Sequence, residues 1–199
     1  MIHQLFIKVR EKEFHEFPIF VESSNKWREY CKKYNLVYKL WFIEDLEAIM
    51  SVEHFNVFYK IDKENRDPFL KVDYGRVLIL NTFNGCYVDL DIFPKENFFD
   101  FYTQNKNIIG SWIDKKGKVN INNNILKFEG NLPEQILEHY REQYEEKSKI
   151  EIYKKWKKRF IFQTFGPKSL KRFCDKNNLT ATPNLHNYIE DRETQTWLD

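Results

Sequence analysis

The chain is poor in the residues that break or staple structure, with 6 glycines, 6 prolines and 3 cysteines among 199 residues. So little glycine and proline excludes collagen-like and low-complexity chains. Cys31, Cys86 and Cys174 are odd in number and widely spaced. They therefore make neither a CxxC metal pair nor a disulfide framework, and a reducing compartment is expected. No window approaches the roughly 18 consecutive apolar residues that span a bilayer. The opening Met1-Ile2-His3-Gln4-Leu5-Phe6-Ile7 also lacks the basic and long apolar regions of a signal peptide. A soluble, cytoplasmic protein is the expectation. Charge of one sign is missing too: 32 Lys and Arg against 30 Asp and Glu leave a net +2, too weak a field to imply a nucleic-acid partner.

What is present is apolar, 42% hydrophobic and 17% aromatic, enough to bury one substantial core. Short β-type runs are expected at Ile2 to Val9, Phe17 to Val21 and Tyr38 to Phe42, with helices from Ser23 or Ser24 through Trp27, Tyr30 and Cys31, and over Asp45 to Ser51. Alternating strands and helices favour an α/β domain with a mixed, mostly parallel sheet. Asp67-Pro68 reads as N-cap and first turn of a helix reaching Asn81. Asp73 and Arg76 lie three apart on it, so their side chains share a face. Asn84-Gly85 tolerates positive φ and ends the helix. A strand is expected to follow over Cys86 to Phe93, setting Asp89 and Asp91 side by side on one face.

Further strands are expected over Asn107 to Ile113 and Ile121 to Phe128, a turn over Lys115 to Lys118, and helix from Pro133 to about Phe160. Gly166-Pro167 reads as a turn before a short helix through Leu170 and Phe173, and then an irregular tail. Trp27, Trp41 and Trp112 are expected in the core. The basic run Lys154 to Arg159 reads as the solvated face of an amphipathic helix, with contact to an anionic membrane second. No internal repeat and no linker divides the chain, so residues 1–199 are expected as one domain.

Two adjacent carboxylates suit a hard cation, Mg²⁺ or Mn²⁺, that neutralises a polyanionic ligand. The segment from Phe69 to Asp91, with Asp73, Arg76, Leu80, Gly85, Tyr87, Asp89 and Asp91 in sequence, resembles the signature of the sugar-binding DXD glycosyltransferases of family 32. These include a yeast α-1,6-mannosyltransferase, bacterial capsule and lipopolysaccharide enzymes and, more distantly, the glucosylating domains of clostridial toxins. Val72 and Asn84 depart from that pattern, and Leu132 stands where the family has His. The likeness extends to Ile2-His3-Gln4, Lys39-Leu40-Trp41, Asn123-Asn124, Thr164 through Leu170, His186 and Thr196-Trp197.

The resemblance implies a GT-A-type α/β domain with residues 162–199 as a C-terminal lid or tail. It implies a metal-dependent, retaining hexosyl transfer from a UDP- or GDP-sugar to a glycan, lipid-linked or protein acceptor. Asp73, Arg76, Asp89 and Asp91 would carry catalysis. His3, Gln4, Tyr87, Asn124, His186 and Trp197 would join Asp73, Arg76 and Asp89 in holding the donor. Asp89, Asp91, Glu193 and Thr196 would hold Mn²⁺ or Mg²⁺. No nucleic-acid partner and at most peripheral membrane contact are expected. A transfer-inactive nucleotide-sugar or glycan-binding module is the alternative, and a metal-dependent phosphoesterase a third reading that lacks further ligands.

Overall fold

The computed structural model of the protein describes residues 1–8, 11–64, 68–114, 117–150 and 157–192, the side chains of 157–159 excepted. Five strands form the central sheet: β1 (Ile2–Leu5), β2 (Tyr38–Trp41), β3 (Cys86–Val88), β5 (Ile108–Ile113) and β6 (Val119–Lys127). Their order is β2-β1-β3-β6-β5. β1 pairs in parallel with both β2 and β3, whereas β6 runs antiparallel to both β3 and β5. Four of the five strands thus share one direction, which gives the mixed, mostly parallel sheet read from the sequence. A second, two-stranded sheet joins β4 (Ile92–Pro94) to β7 (Ile189–Asp191).

Helices cover both faces. On one side α1 (Pro18–Lys33) and α5 (Phe98–Gln104) bury Trp27, Tyr30, Phe98 and Phe101 against Ile2, Cys86, Val88, Ile108 and Ile125. On the other lie α4 (Phe69–Phe83), α6 (Leu132–Ser148), α7 (Lys157–Thr164) and α8 (Pro167–Lys176). There Leu78, Tyr140, Phe165 and Leu170 meet Leu5, Tyr87, Ile109 and Leu126. Neighbouring strand residues go to opposite layers, as the two-residue period of a strand requires. α2 (Ile43–Glu47) and α3 (Val52–Lys63) flank this second layer. Two single turns of 3₁₀ helix, Phe14–Glu16 and Leu185–Asn187, complete the elements. No described helix is long and apolar enough to cross a membrane.

Several expected elements change. Phe17 to Val21 is not a strand: Pro18 is the first residue of α1, a position that needs no backbone N–H. Ser23 and Ser24 accordingly sit inside that helix rather than capping it. The α3 helix was not anticipated; Ser51 caps it by accepting from the His54 N–H at 3.4 Å. The single strand expected over Cys86 to Phe93 divides into β3 and β4, in different sheets, around a tight turn in which the Ile92 N–H donates to the Asp89 carbonyl at 3.2 Å. Of the helix expected from Pro133 to Phe160, α6 and the start of α7 are seen, while residues 151–156, which include the first half of the basic run, lie outside the described residues, as does Asp67.

Trp27 and Trp41 are buried as expected, but Trp112 is 48% exposed. It lies near the tip of the β5–β6 hairpin, beyond the reach of either helical layer. Of residues 162–199, expected as a C-terminal lid or tail, the described residues 162–192 contribute Phe165, Leu170, Phe173, Cys174, Leu185 and Ile189 to the two cores and lay β7 along β4.

Candidate active site

α4 is buried almost all round, so even its polar residues face protein: Asp73 and Arg76 are 7% and 5% exposed. A guanidinium cannot stay there without anionic partners. Arg76 Nη2 meets Asp73 Oδ1 at 3.0 Å and Asp89 Oδ1 at 3.4 Å. Its Nη1 donates to the Asn123 carbonyl, and its plane lies 5.1 Å from the centre of the Tyr87 ring. Asn123 Nδ2 donates to the same Asp73 oxygen at 2.9 Å, and the Tyr87 hydroxyl donates to Asp89 Oδ1 at 2.9 Å. One arginine therefore ties the helix to the turn after β3 and to β6.

Burial works against the Arg76 charge, but Asp89, Tyr87 and Asp73 outweigh it and hold the guanidinium cationic well above the usual range. Burial also pushes the Asp89 carboxyl up to about 6, opposed by Arg76 and the Tyr87 hydroxyl and reinforced by the negative charges of Asp73 and Asp191. Its side chain keeps 26% exposure, so proton and ligand can still reach it. Asp191, on β7, accepts from Asn124 Nδ2 at 2.8 Å.

The turn that carries the two aspartates is held from behind. The Asp89 N–H donates to the Asn124 carbonyl at 2.7 Å, and Gln4 Nε2 donates to the Asp89 carbonyl at 3.1 Å. Gln4 Oε1 in turn accepts from the Tyr38 hydroxyl at 2.8 Å. The Ile92 carbonyl accepts twice, from the Ser23 hydroxyl at 2.7 Å and the Trp27 indole N–H at 2.8 Å. Asp91 is half-buried at the far end of the turn, its carbonyl accepting from the Arg192 N–H at 3.1 Å.

Gly166 lets the α7–α8 corner approach Asp73. A Cβ there would meet Phe162 Cα at 2.9 Å and Asp73 Oδ2 at 3.3 Å. Two buried polar atoms, the Tyr140 hydroxyl and Asn124 Oδ1, have no hydrogen-bond partner among the described residues. The Tyr140 phenol is held well above its usual range by burial and by the charge of Asp73, with Arg76 opposing.

Asp73, Arg76, Tyr87 and Asp89 are brought together, and Asn124 and Asp191 border them. Gln4 acts on the Asp89 backbone rather than facing the carboxylates. His3 is fully buried with both ring nitrogens engaged. The Trp41 indole donates to Nδ1 at 3.1 Å, which leaves Nε2–H to donate to the Asn84 carbonyl at 2.7 Å. Burial pulls this imidazole down to about 4 against the lift from Asn84, and both ring nitrogens are taken up by Trp41 and Asn84. It clamps the Asn84-Gly85 turn, where φ is +56° and +100° and a Cβ on residue 85 would meet the Met1 carbonyl at 2.6 Å. His186 is exposed, its carbonyl accepting from Lys95 Nζ at 2.5 Å. Glu193, Thr196 and Trp197 lie outside the described residues.

Sequence reasoning missed Asp191 and Tyr140. Tyr140 sits on the apolar stripe of α6 and signals only core. Asp191 gains its place from β4, far away in sequence. Among the described residues no three His, Cys, Asp or Glu side chains converge as a metal cluster.

No protein-family model matches the chain, and no curated protein sequence does. Among solved structures it is similar to "PaToxG Glycosyltransferase", with 13% identity, a TM-score of 0.57, and coverage of 88% of this chain and 68% of that one. The fold is of the GT-A type. A second likeness, to the catalytic domain of alpha-toxin from Clostridium novyi, has 10% identity and a TM-score of 0.46 and covers 90% of this chain and 64% of that one.

Proposed function

We propose that the protein is a metal-dependent glycosyltransferase that moves a hexose from a UDP- or GDP-sugar to a hydroxyl acceptor with retention of configuration. The observation that carries this reading is the single buried Arg76 shared by Asp73 and Asp89 at the mouth of the turn after β3. It is supported by the resemblance of the Phe69 to Asp91 segment to family 32 and by a fold shared with a protein titled a glycosyltransferase.

Asp73 accepts hydrogen bonds from the sugar hydroxyls, and Arg76 donates to a hydroxyl or phosphate oxygen. The Tyr140 hydroxyl, without a hydrogen-bond partner among the described residues, lies close to Asp73 and Arg76; leaving such a group unmade costs about 1–3 kcal/mol. Asp89 and Asp91 carry hard oxygen donors of the kind a divalent cation takes. Burial lifts the Asp89 carboxyl, and the negative charges of Asp73 and Asp191 add to that lift against Arg76. Asp91 and Asp89 would hold Mn²⁺ or Mg²⁺, with Glu193 and Thr196 as further expected ligands. Bound there, the ion would neutralise the departing nucleoside diphosphate. Acceptors of the glycan, lipid-linked and protein classes are all compatible with this chemistry.

The test is hydrolysis of a panel of UDP- and GDP-sugars with and without Mn²⁺. Metal-dependent turnover that disappears in Asp91→Ala, with the fold intact by circular dichroism, is the expected result. Turnover retained in that variant overturns the reading. The near-complete burial of Asp73 and Arg76 favours a second reading, a binding module without transfer. Calorimetric binding of a nucleotide sugar with neither hydrolysis nor transfer would establish it.

A further inference from the structure

Three large apolar side chains stand in water at the end of one hairpin. Trp112, Ile113 and Val119 are 48%, 59% and 48% exposed, although aromatic and β-branched strand residues gain stability by burial. Trp112 pairs with Asn120 and Ile113 with Val119 across the β5–β6 ladder. Because successive strand residues face opposite ways, Trp112 occupies one face of the ribbon and the Ile113–Val119 pair the other.

The tip is built rather than frayed. Asp114 N–H donates to the Lys118 carbonyl at 3.0 Å, Gly117 N–H to the Asp114 carbonyl at 2.9 Å, and Lys118 N–H to Asp114 Oδ1 at 3.0 Å. Nothing else in the described protein covers it: a Cβ at Gly117 would find no atom within 4 Å, and Lys118 is exposed.

Apolar groups on both faces of a projecting ribbon decide what kind of partner fits. A folded protein docks on one face and leaves the other wet, whereas a bilayer interface surrounds the tip on every side. Tryptophan is the side chain most at home at that interface. The charge agrees. Lys118 sits beside the apolar residues, and the sequence adds Lys115 and Lys116, outside the described residues, against one Asp114, whose Oδ1 accepts from the Lys118 N–H. Such a composition attracts anionic headgroups.

We propose that the β5–β6 hairpin tip enters the interfacial layer of an anionic lipid bilayer and holds the protein at a membrane surface. The inference stands apart from the catalytic reading, since none of these residues belongs to the site. β6 runs from Val119 at the tip to Asn123 beside Asp73. Four strand residues span about 13 Å, so a docked hairpin keeps the site within one strand length of the headgroups.

The test is co-sedimentation of the full chain with vesicles of phosphatidylcholine alone and of phosphatidylcholine mixed with phosphatidylserine. Binding is expected to the mixed vesicles and to be far weaker on the neutral ones. The triple variant Trp112→Ser, Ile113→Ser, Val119→Ser should bind the mixed vesicles about a hundredfold more weakly or less, and Lys118→Glu several-fold more weakly, both with unchanged melting. Three results overturn the proposal. One is a wild-type chain that ignores the anionic vesicles. Another is a triple variant that binds them as well as wild type, which moves the contact to another surface such as the basic run from Lys154. The third is a wild-type chain that self-associates in sedimentation velocity while the triple variant stays monomeric, which makes a second copy the occupant.

Discussion

The turn at residues 89–92 and the hairpin tip at residues 112–119 both reverse the chain within a few residues, yet they are supported in opposite ways. The turn is gripped by groups far away in sequence: Gln4 on the Asp89 carbonyl, Asn124 on the Asp89 N–H, and Ser23 and Trp27 on the Ile92 carbonyl. Among the described residues the tip's backbone hydrogen bonds link Asp114, Gly117 and Lys118 to one another, and Trp112, Ile113 and Val119 stand in solvent. Chemistry that must hold a carboxylate in place has been given a rigid, polar and buried backing. The tip, proposed to meet a membrane, carries exposed apolar groups and lysine.

That contrast is open to attack, beginning where the effect should be greatest. Trp27→Ala removes a fully buried indole and one of the two donors to the Ile92 carbonyl, so urea unfolding should show a loss of about 3–5 kcal/mol. A variant as stable as wild type would mean the turn does not depend on its backing. Asp89→Asn keeps the size of the side chain but removes the charge opposite Arg76. Turnover of the best nucleotide sugar should fall about 10²- to 10³-fold while Mn²⁺ no longer raises the melting temperature.

Gln4→Leu should cost about 1–3 kcal/mol by leaving the Tyr38 hydroxyl and the Asp89 carbonyl short of a partner, and should also lower turnover; normal turnover would show that the turn holds Asp89 without it. The pH dependence follows from the raised Asp89 carboxyl. Between its ordinary value, near 4, and about 6 the folded protein keeps a proton that the unfolded chain releases, so this group's contribution favours folding at low pH and is lost as pH rises through about 6. On the proposed metal-dependent reading Mn²⁺ should raise the melting temperature, and because a metal needs the ionised form that rise should fade as pH falls through about 6. A metal effect unchanged at pH 5 would detach the cation from Asp89. The smallest effect belongs to the tip: Trp112→Ala should change stability by less than about 0.5 kcal/mol, and a larger loss would show that the ring packs on the fold after all.

Much of this was legible in the sequence where local rules suffice. The apolar positions of α4 placed Asp73 and Arg76 on one face, and Asn84-Gly85 marked the positive-φ turn after it. The alternating pattern from Cys86 to Phe93 misled, because Asp-Leu-Asp reads as strand whether or not the chain turns. What decides the matter is an indole and a hydroxyl on α1 that capture the Ile92 carbonyl, and no local pattern records them. The Phe17-Pro18-Ile19-Phe20-Val21 run misled in the same way, since its bulky residues suit a strand until Pro18 opens a helix. His3 was expected near the donor from the resemblance of Ile2-His3-Gln4 to the family, and no local pattern records that Trp41 and Asn84 engage both its nitrogens. Trp112 was read as core because tryptophan usually is, and only the length of the hairpin shows otherwise.

The pairing of β4 with β7 has a consequence for how the molecule assembles. β4 leaves the aspartate turn directly, and its partner lies near the other end of the chain, Ile92 facing Asp191. Contacts between residues so distant along the chain close late, because the intervening loop must first lose its freedom. During synthesis the cradle of Gln4, Ser23 and Trp27 is available early, whereas the far wall with Asp191 waits for almost all of the described residues to emerge. The carboxylate cluster that repels itself most is therefore brought together last, after the sheet that can bear the repulsion has formed.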